Sequence, residues 1–257
     1  MTALVTGAGR RLGRAMALYL AGRGHDVAVH YATSGDEAEE VAGAIRAVGR
    51  RAVTLQADLL DEGQVAGLVA RATEALGPLT VLVNNASIFE YDTLQTGTRS
   101  SWDRHIESNL RAPFVLSQQF AGQCPPAGMD DNGEPLAHGL IVNMLDQRIL
   151  KLTPEFSSYT IAKMGLWALT QTAAQGLAPH VRVNGIGPGP TLQGARQSAQ
   201  HFANQRSATV LERGASAAEI TAALGFFLDS PGVTGQMIAV DGGQHLAWKT
   251  PDVLGVE

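Results

Sequence analysis

A tyrosine and a lysine four residues apart, in Tyr159-Thr160-Ile161-Ala162-Lys163, are the pair in this sequence best suited to moving a proton. On a helix that spacing puts both side chains on one face. An ammonium beside a phenol favours the phenolate and brings its pKa down from about 10 towards a range useful for proton transfer. Composition alone draws attention to Lys163, because only three of the 19 basic residues are lysines: Lys151, Lys163 and Lys249.

A second stretch, Thr6-Gly7-Ala8-Gly9-Arg10-Arg11-Leu12-Gly13-Arg14, has the composition of an anion cradle. Glycines let backbone turn sharply and approach a ligand, and the free N–H groups of a helix start favour a phosphate. Arg10 and Arg11 are either solvated cations or partners of a bound anion, since a helix start disfavours unpaired cations. In NAD-specific folds an acidic residue at the end of the second strand holds the ribose hydroxyl. Here that stretch reads Val27-Ala28-Val29-His30-Tyr31-Ala32-Thr33-Ser34, with no carboxylate before Asp36. The missing acid, the nearby arginines and Ser34 favour NADP(H), whose 2′-phosphate a guanidinium attracts.

These groups need strands to end at one edge and helices to start there. Aliphatic runs predict seven strands: Ala3 to Thr6, Asp26 to Tyr31, Ala52 to Gln56, Leu79 to Val83, Leu140 to Met144, Val181 to Ile186 and Gln236 to Val240. Helical periodicity fills the gaps over Arg11 to Arg23, Glu37 to Val48, Glu62 to Ala75, Thr98 to Phe120, Ser157 to Leu177 and Ala217 to Leu228. The alternation predicts a single α/β domain over residues 1–257: a Rossmann-type, doubly wound sheet of about seven parallel strands with helices on both faces. Two stretches lack periodicity. Gly122 to His138, with Pro125, Pro126 and Pro135, reads as a surface insertion; Pro188 to about Gly214 reads as a substrate lid or a plain connection.

Composition narrows the function. The net charge of −5 lacks the basic excess of a nonspecific nucleic-acid binder. A single cysteine, Cys124, cannot form an intrachain disulfide and suits a reducing compartment. No signal peptide and no apolar run long enough to span a membrane is visible, so a cytoplasmic protein is expected. No metal site is expected.

Tyr159 and Lys163 stand with Thr6-Gly7, Asp58-Leu59 after the third strand and Asn84-Asn85-Ala86 after the fourth. Asn109 in the next helix, Pro188-Gly189 after the sixth strand and Val240-Asp241-Gly242-Gly243 near the end complete the set. With these motifs the chain resembles the short-chain dehydrogenase/reductase family over essentially its whole length. It departs from the common pattern twice: Arg11 stands where a second glycine is usual, and Asp146 where a catalytic serine is usual. In Val142-Asn143-Met144-Leu145-Asp146-Gln147 there is no serine, and an aspartate at that place is shared with the pteridine and dihydromonapterin reductases. The resemblance implies a carboxylate that accepts from substrate N–H groups and opposes Lys163, keeping Tyr159 a proton donor suited to a reduction. Alternatively Asp146 is a solvated loop residue of a decayed enzyme. Arg10-Arg11-Leu12-Gly13, His30-Tyr31 with Ser34, and Asn84-Asn85-Ala86-Ser87-Ile88-Phe89 look like segments of the same subgroup.

The resemblance implies roles residue by residue. Asp58 would contact adenine, with Leu59 beside it; Asn85, Ala86 and Ser87 would line the cofactor; Lys163 would hold the nicotinamide ribose and Asn109 would support a proton relay through it. Gly7, Arg10, Arg11, Leu12, His30, Tyr31, Ser34, Tyr159, Pro188 and Gly189 would complete the NADPH contacts. Arg11, Ser87, Phe89, Asp146 and Tyr159 would face a pterin, with Phe89 stacking it against the nicotinamide; alternatively Phe89 simply packs a loop. Family members are commonly homodimers or homotetramers. The leading expectation is an NADPH-dependent pterin reductase. The alternatives are a reductase of ketones or 3-oxoacyl thioesters, and a catalytically silent NADP(H)-binding protein.

Overall fold

In the computed structural model, residues 1–194 and 197–248 are described; Lys249 and two positions of the long loop after the sixth predicted strand lie outside the described residues. The elements run β1 (Thr2–Val5), α1 (Arg11–Gly22), β2 (Asp26–Tyr31), α2 (Gly35–Ala47), β3 (Ala52–Gln56), α3 (Glu62–Ala66), α4 (Leu68–Leu76) and β4 (Val81–Asn84). Then follow α5 (Arg99–Ile106), a π-helical turn (Glu107–Arg111), α6 (Ala112–Gln123), a hairpin of β5 (Gly128–Met129) and β6 (Pro135–Leu136), and β7 (Gly139–Met144). The chain continues through a 3₁₀ turn (Gln147–Ile149), α7 (Ser157–Gly176), β8 (Val181–Pro188), α8 (Ala199–Ser207), α9 (Ala217–Asp229) and β9 (Met237–Val240).

Seven strands form one sheet in the order β3-β2-β1-β4-β7-β8-β9, and every neighbouring pair is parallel. Successive residues of a strand face opposite sides. Ala3, Val5, Val27, Val29, Val83 and Val142 bury one face with Met16 and Leu20 of α1, Val41 and Ile45 of α2, and Leu224 and Phe227 of α9. Leu4, Ala28, Leu82, Ile141 and Val183 bury the other with Leu68 and Leu76 of α4 and Leu116 and Phe120 of α6. Both faces are covered, which is why the strands read as apolar runs without alternation. The strand order reverses between β1 and β4, and the carboxyl edge of the sheet at that point is where open α/β sheets take ligands.

The seven predicted strands are all present, and four expectations need revision. The helix predicted over Thr98 to Phe120 is interrupted by the π turn, which carries Asn109. The helix predicted over Glu62 to Ala75 breaks at Gly67. The insertion at Gly122 to His138 folds as the β5–β6 hairpin. The stretch after Pro188 contains α8, which buries none of its residues and so leaves no apolar stripe in the sequence.

Candidate active site

Three side chains meet at the carboxyl end of β7. Asp146 follows that strand and caps the 3₁₀ turn, its Oδ1 accepting from the Arg148 N–H at 2.8 Å. Its Oδ2 accepts from the Tyr159 hydroxyl at 2.8 Å. Tyr159 lies in the first turn of α7, and one turn on Lys163 donates to the Met144 carbonyl at 2.6 Å. The Lys163 ammonium stands 5.7 Å from the centre of the Tyr159 ring; Tyr159 and Lys163 are buried and Asp146 is half-buried. Gly187 of β8 packs under the Met237 methyl, which a Cβ there would meet at 2.0 Å.

The electrostatics follow from burial. Burial raises the Asp146 carboxyl, with the Arg148 N–H, Tyr159 and Lys163 pulling the other way. Burial, and then the charge and hydrogen bond of Asp146, push Tyr159 well above an ordinary phenol. Burial pushes Lys163 down to about 8, opposed by Asp146. Tyr159 therefore holds its proton as a donor, and Asp146 accepts from it. Asp146 is no solvated loop residue: it is the partner of Tyr159.

The glycine turn lies beside this group, as a cradle with no room for side chains. A Cβ on Gly13 would sit 2.2 Å from the Gly7 carbonyl oxygen and 2.6 Å from Asn85 Nδ2. Asn85 braces the turn by donating to the Thr6 carbonyl at 2.8 Å, and the Thr6 hydroxyl accepts from the Asn85 and Ala86 N–H groups at 2.9 and 3.0 Å. Gly7, His30, Asp58, Leu59, Ala86 and Ser87 line a cleft of about 400 Å³ that continues to Ile88, Arg104 and Ser108.

Several predicted cofactor residues have internal partners. His30 Nδ1 accepts from the Gly7 N–H at 3.0 Å and Nε2 lies 3.1 Å from the Ala57 carbonyl, so the neutral ring spans the turn and β3; burial lowers its pKa to about 4. Leu12 and Tyr31 pack against the core. Arg10 is paired with Glu37, one turn into α2, and Ser34 stands against Gly9 of the turn. Arg11 adopts a left-handed conformation, φ +53°, and its guanidinium donates to the Gln193 and Leu192 carbonyls at 2.7 and 2.9 Å. Pro188 ends β8, and the Gly189 N–H is bonded to the Val240 carbonyl at 3.0 Å.

The loop after β4 carries Ser87 and Phe89 to Tyr159. Asn109 clamps it, donating to the Ile88 carbonyl at 2.8 Å and accepting the Ile88 N–H at 2.9 Å. The Ser87 hydroxyl donates to the Ile88 carbonyl at 3.4 Å, and its nearness to Tyr159 works against the rise in the phenol's pKa. The Phe89 ring meets Tyr159 edge-on, with centroids 4.7 Å apart, and stacks on Phe156 at 4.2 Å and 10°. Phe156, with Arg148 over its ring at 5.0 Å, is a site residue absent from the sequence reading. The sequence shows only an aromatic residue just before the Tyr159 helix; the left-handed backbone at Phe156, which carries no sequence signal, accompanies the stacking of its ring on Phe89. Asp92, His105 and Ser158 were missed as well; they carry no motif and meet only in the fold.

Residues 1–204 match the family described as short chain dehydrogenase. A Brucella suis structure, FolM alternative dihydrofolate reductase 1 in complex with NADP, is 44% identical, with 98% of each chain covered and a TM-score of 0.90. A short-chain type dehydrogenase/reductase of Picea abies is 30% identical over 94% of this chain and 91% of its own. The 3-oxoacyl-[acyl-carrier-protein] reductase FabG of Staphylococcus aureus is 31% identical over 95% of this chain and 98% of its own.

Proposed function

The chain belongs to the short-chain dehydrogenase family, and we propose that within it the protein is an NADPH-dependent reductase of a pterin ring: a dihydropterin, a dihydromonapterin or a dihydrofolate-like molecule. The hydrogen bond from Tyr159 to Asp146 carries the reading. A ketone oxygen is best polarised by two neutral donors, whereas a pterin presents N–H groups that a carboxylate can accept. The 44% identity to a protein named as an alternative dihydrofolate reductase supports the same substrate class.

The residues present fit NADPH. A Cβ on Gly13 would strike the Gly7 carbonyl and one on Gly7 would press on Ala86, so only glycines let the turn close against the loop that lines the cleft. The cleft runs from Gly7 past Asp58, Leu59, Ala86 and Ser87 to Ile88. β2 ends without a carboxylate, with Ser34 and Arg10 at the mouth of the turn. NADPH, when bound, supplies the hydride. Tyr159 holds the proton that reaches the ring nitrogen. Asp146 orients that hydroxyl and accepts from substrate N–H groups, while Lys163 and Asn109 hold the end of β7 and the loop after β4. Phe89 lies edge-on to Tyr159, which supports its role as a wall for the ring, and Ser87 and Arg11 are assigned to face the ring with it.

We further propose a cytoplasmic homodimer or homotetramer. Phe114, Ile161 and Met164 on α6 and α7 leave an apolar face partly exposed, and sedimentation velocity checks the assembly. Among the described residues no helix is long and apolar enough to cross a membrane.

NADPH oxidation with dihydrobiopterin, dihydromonapterin and dihydrofolate tests the function. Asp146→Ser is expected to lower pterin kcat/KM by at least ~100-fold, the scale of a lost proton-transfer partner, while sparing or improving ketone reduction. Turnover of 3-oxoacyl thioesters but of no pterin points instead to the activity named for the Staphylococcus aureus relative. Cofactor binding with no turnover, and indifference to Tyr159→Phe, points to a silent binder.

A further inference from the structure

Helix α7 begins without a cap of its own. Phe156, at the cap position, is left-handed and makes no side-chain bond to the helix. The work is done by Asp92 from the loop after β4, which is almost wholly buried. Its carbonyl accepts from the Ser157 N–H at 3.3 Å, and its Oδ1 from the Ser158 N–H at 3.1 Å. Its Oδ2 accepts from the hydroxyls of Ser158 and, at 3.2 Å, Ser101. Burial raises the Asp92 carboxyl, but the hydrogen bonds from Ser158 and Ser101 bring it below its ordinary value, so it stands ionised at a helix start, where negative charge is favoured.

His105 of α5 joins the same cluster and is fully buried. Its Nδ1 lies 2.7 Å from the Ser158 hydroxyl oxygen, and its Nε2 accepts from the Glu90 N–H at 3.1 Å. The Ser158 hydroxyl has one proton and gives it to Asp92, so towards His105 it must accept. That places the imidazole proton on Nδ1 and leaves Nε2 free for Glu90, a tautomer that satisfies every group. Burial favours the neutral ring. The imidazole also meets the Tyr159 ring edge-on, with centroids 5.9 Å apart.

We propose that His105 is a positioning residue with two separable arms: Nδ1, through Ser158 and Asp92, fixes the first turn of α7 and so the Tyr159 hydroxyl, while Nε2, through the Glu90 N–H, fixes the loop that presents Phe89. One ring thereby sets the register between the proton donor and the aromatic wall of the substrate pocket. The inference rests on the reading of Tyr159 as the acid and Phe89 as the substrate wall. Loss of the first arm moves kcat, because the hydroxyl is displaced at the moment of proton transfer. Loss of the second moves KM, because the wall no longer meets the ring.

Three variants separate the arms. His105→Asn keeps a donor near Nδ1 and cannot reach Glu90. His105→Gln reaches the Glu90 N–H as an acceptor and forgoes the Ser158 bond. His105→Leu has neither arm. A lost buried hydrogen bond corresponds to ~10-fold, so His105→Gln is expected to lower kcat ~10-fold at near-normal KM, His105→Asn to raise KM ~10-fold at near-normal kcat, and His105→Leu to do both. NADPH affinity should stay within ~2-fold in all three, less than a lost hydrogen bond would change it.

Hydrogen exchange, read without substrate, should rise over residues 87–90 in His105→Asn and in the first turn of α7 in His105→Gln. Equal loss of kcat and KM in both single-arm variants, or equal exchange in both segments, overturns the proposal. If His105→Leu fails to fold, the other two variants and the imidazole ¹⁵N shifts of the wild-type protein still decide, because an Nε2–H tautomer contradicts the two arms. If the wild-type protein turns over no pterin, the substrate reading falls, while the exchange pattern still tests the positioning.

Discussion

Lys163 should make this protein less stable than it could be. The site holds an ammonium out of water and lowers its pKa from 10.5 to about 8, a penalty of about 3 kcal/mol on the charged form at neutral pH. Lys163→Met fills the same space without charge. It also takes the donor from the Met144 carbonyl, which costs roughly 1–2 kcal/mol. The cofactor-free variant should therefore gain about 1–2 kcal/mol at pH 7, a rise in Tm of roughly 2–8 °C for a chain of this size, while losing turnover. The pH dependence identifies the cause. Below about 8 the lysine is protonated in both folded and unfolded chains, and the whole penalty is present. Between about 8 and 10.5 the unfolded chain binds a proton that the folded chain does not, so wild-type stability gains on the variant by about 1.4 kcal/mol per pH unit. Urea unfolding of both proteins from pH 7 to 10.5 measures the difference. A variant less stable at pH 7, or a gap that does not shrink above pH 8, would show that burial of the ammonium is not what lowers its pKa.

Three further outcomes follow from the turn and its supports. Gly13→Ala drives a Cβ into the Gly7 carbonyl and should cost about 1–3 kcal/mol of stability and weaken NADPH binding more than ~10-fold, measured by calorimetry. Arg11→Gly and Arg11→Ala both lose the bonds to the Leu192 and Gln193 carbonyls, but only glycine relieves the left-handed backbone, so the glycine variant should be the more stable by about 1 kcal/mol in denaturant melts. His30 has a folded pKa of about 4 against 6.5 when unfolded. Its contribution is thus complete above pH 6.5 and lost as pH falls towards 4, by about 3 kcal/mol. An acid titration of unfolding free energy should show a shallower slope over that window in His30→Asn.

Periodicity and spacing made the sheet and the Tyr159–Lys163 pair legible, because each depends on neighbours in sequence or on a strand end, whereas Asp146 was legible only through the resemblance to a family that has a serine in its place. Residues whose meaning lies in a distant partner were harder to read. His30 reads as a cofactor contact and lines the cleft, but that its two nitrogens brace Gly7 and Ala57 was not readable. Arg10 reads as a phosphate ligand, and its pairing with Glu37 across the mouth of the turn was not readable either. Arg11, noted as replacing a glycine, shows why glycine suits the place: its φ is positive. Asp92, His105 and Ser158 have no pattern between them, since a polar cluster drawn from a loop and two helices leaves no period to detect. Helix α8 escaped for the opposite reason: all its residues meet solvent to some degree, so only the Ser198 cap marks it.

The π turn at Glu107–Arg111 makes the chain sensitive to length at one place. An α-helix advances about 100° per residue, so a single residue added or removed re-aims everything beyond it. The wider turn absorbs one such residue between α5, which faces His105 into the Ser158 cluster, and α6, which faces Phe120 into the core. Deleting one position there would leave a continuous α-helix and turn those two faces out of phase. One would then have to give up its buried surface, however conservative the remaining side chains were. Helix phase, rather than side-chain chemistry, is therefore what limits change between Thr98 and Phe120, and loops elsewhere on the surface have no such constraint.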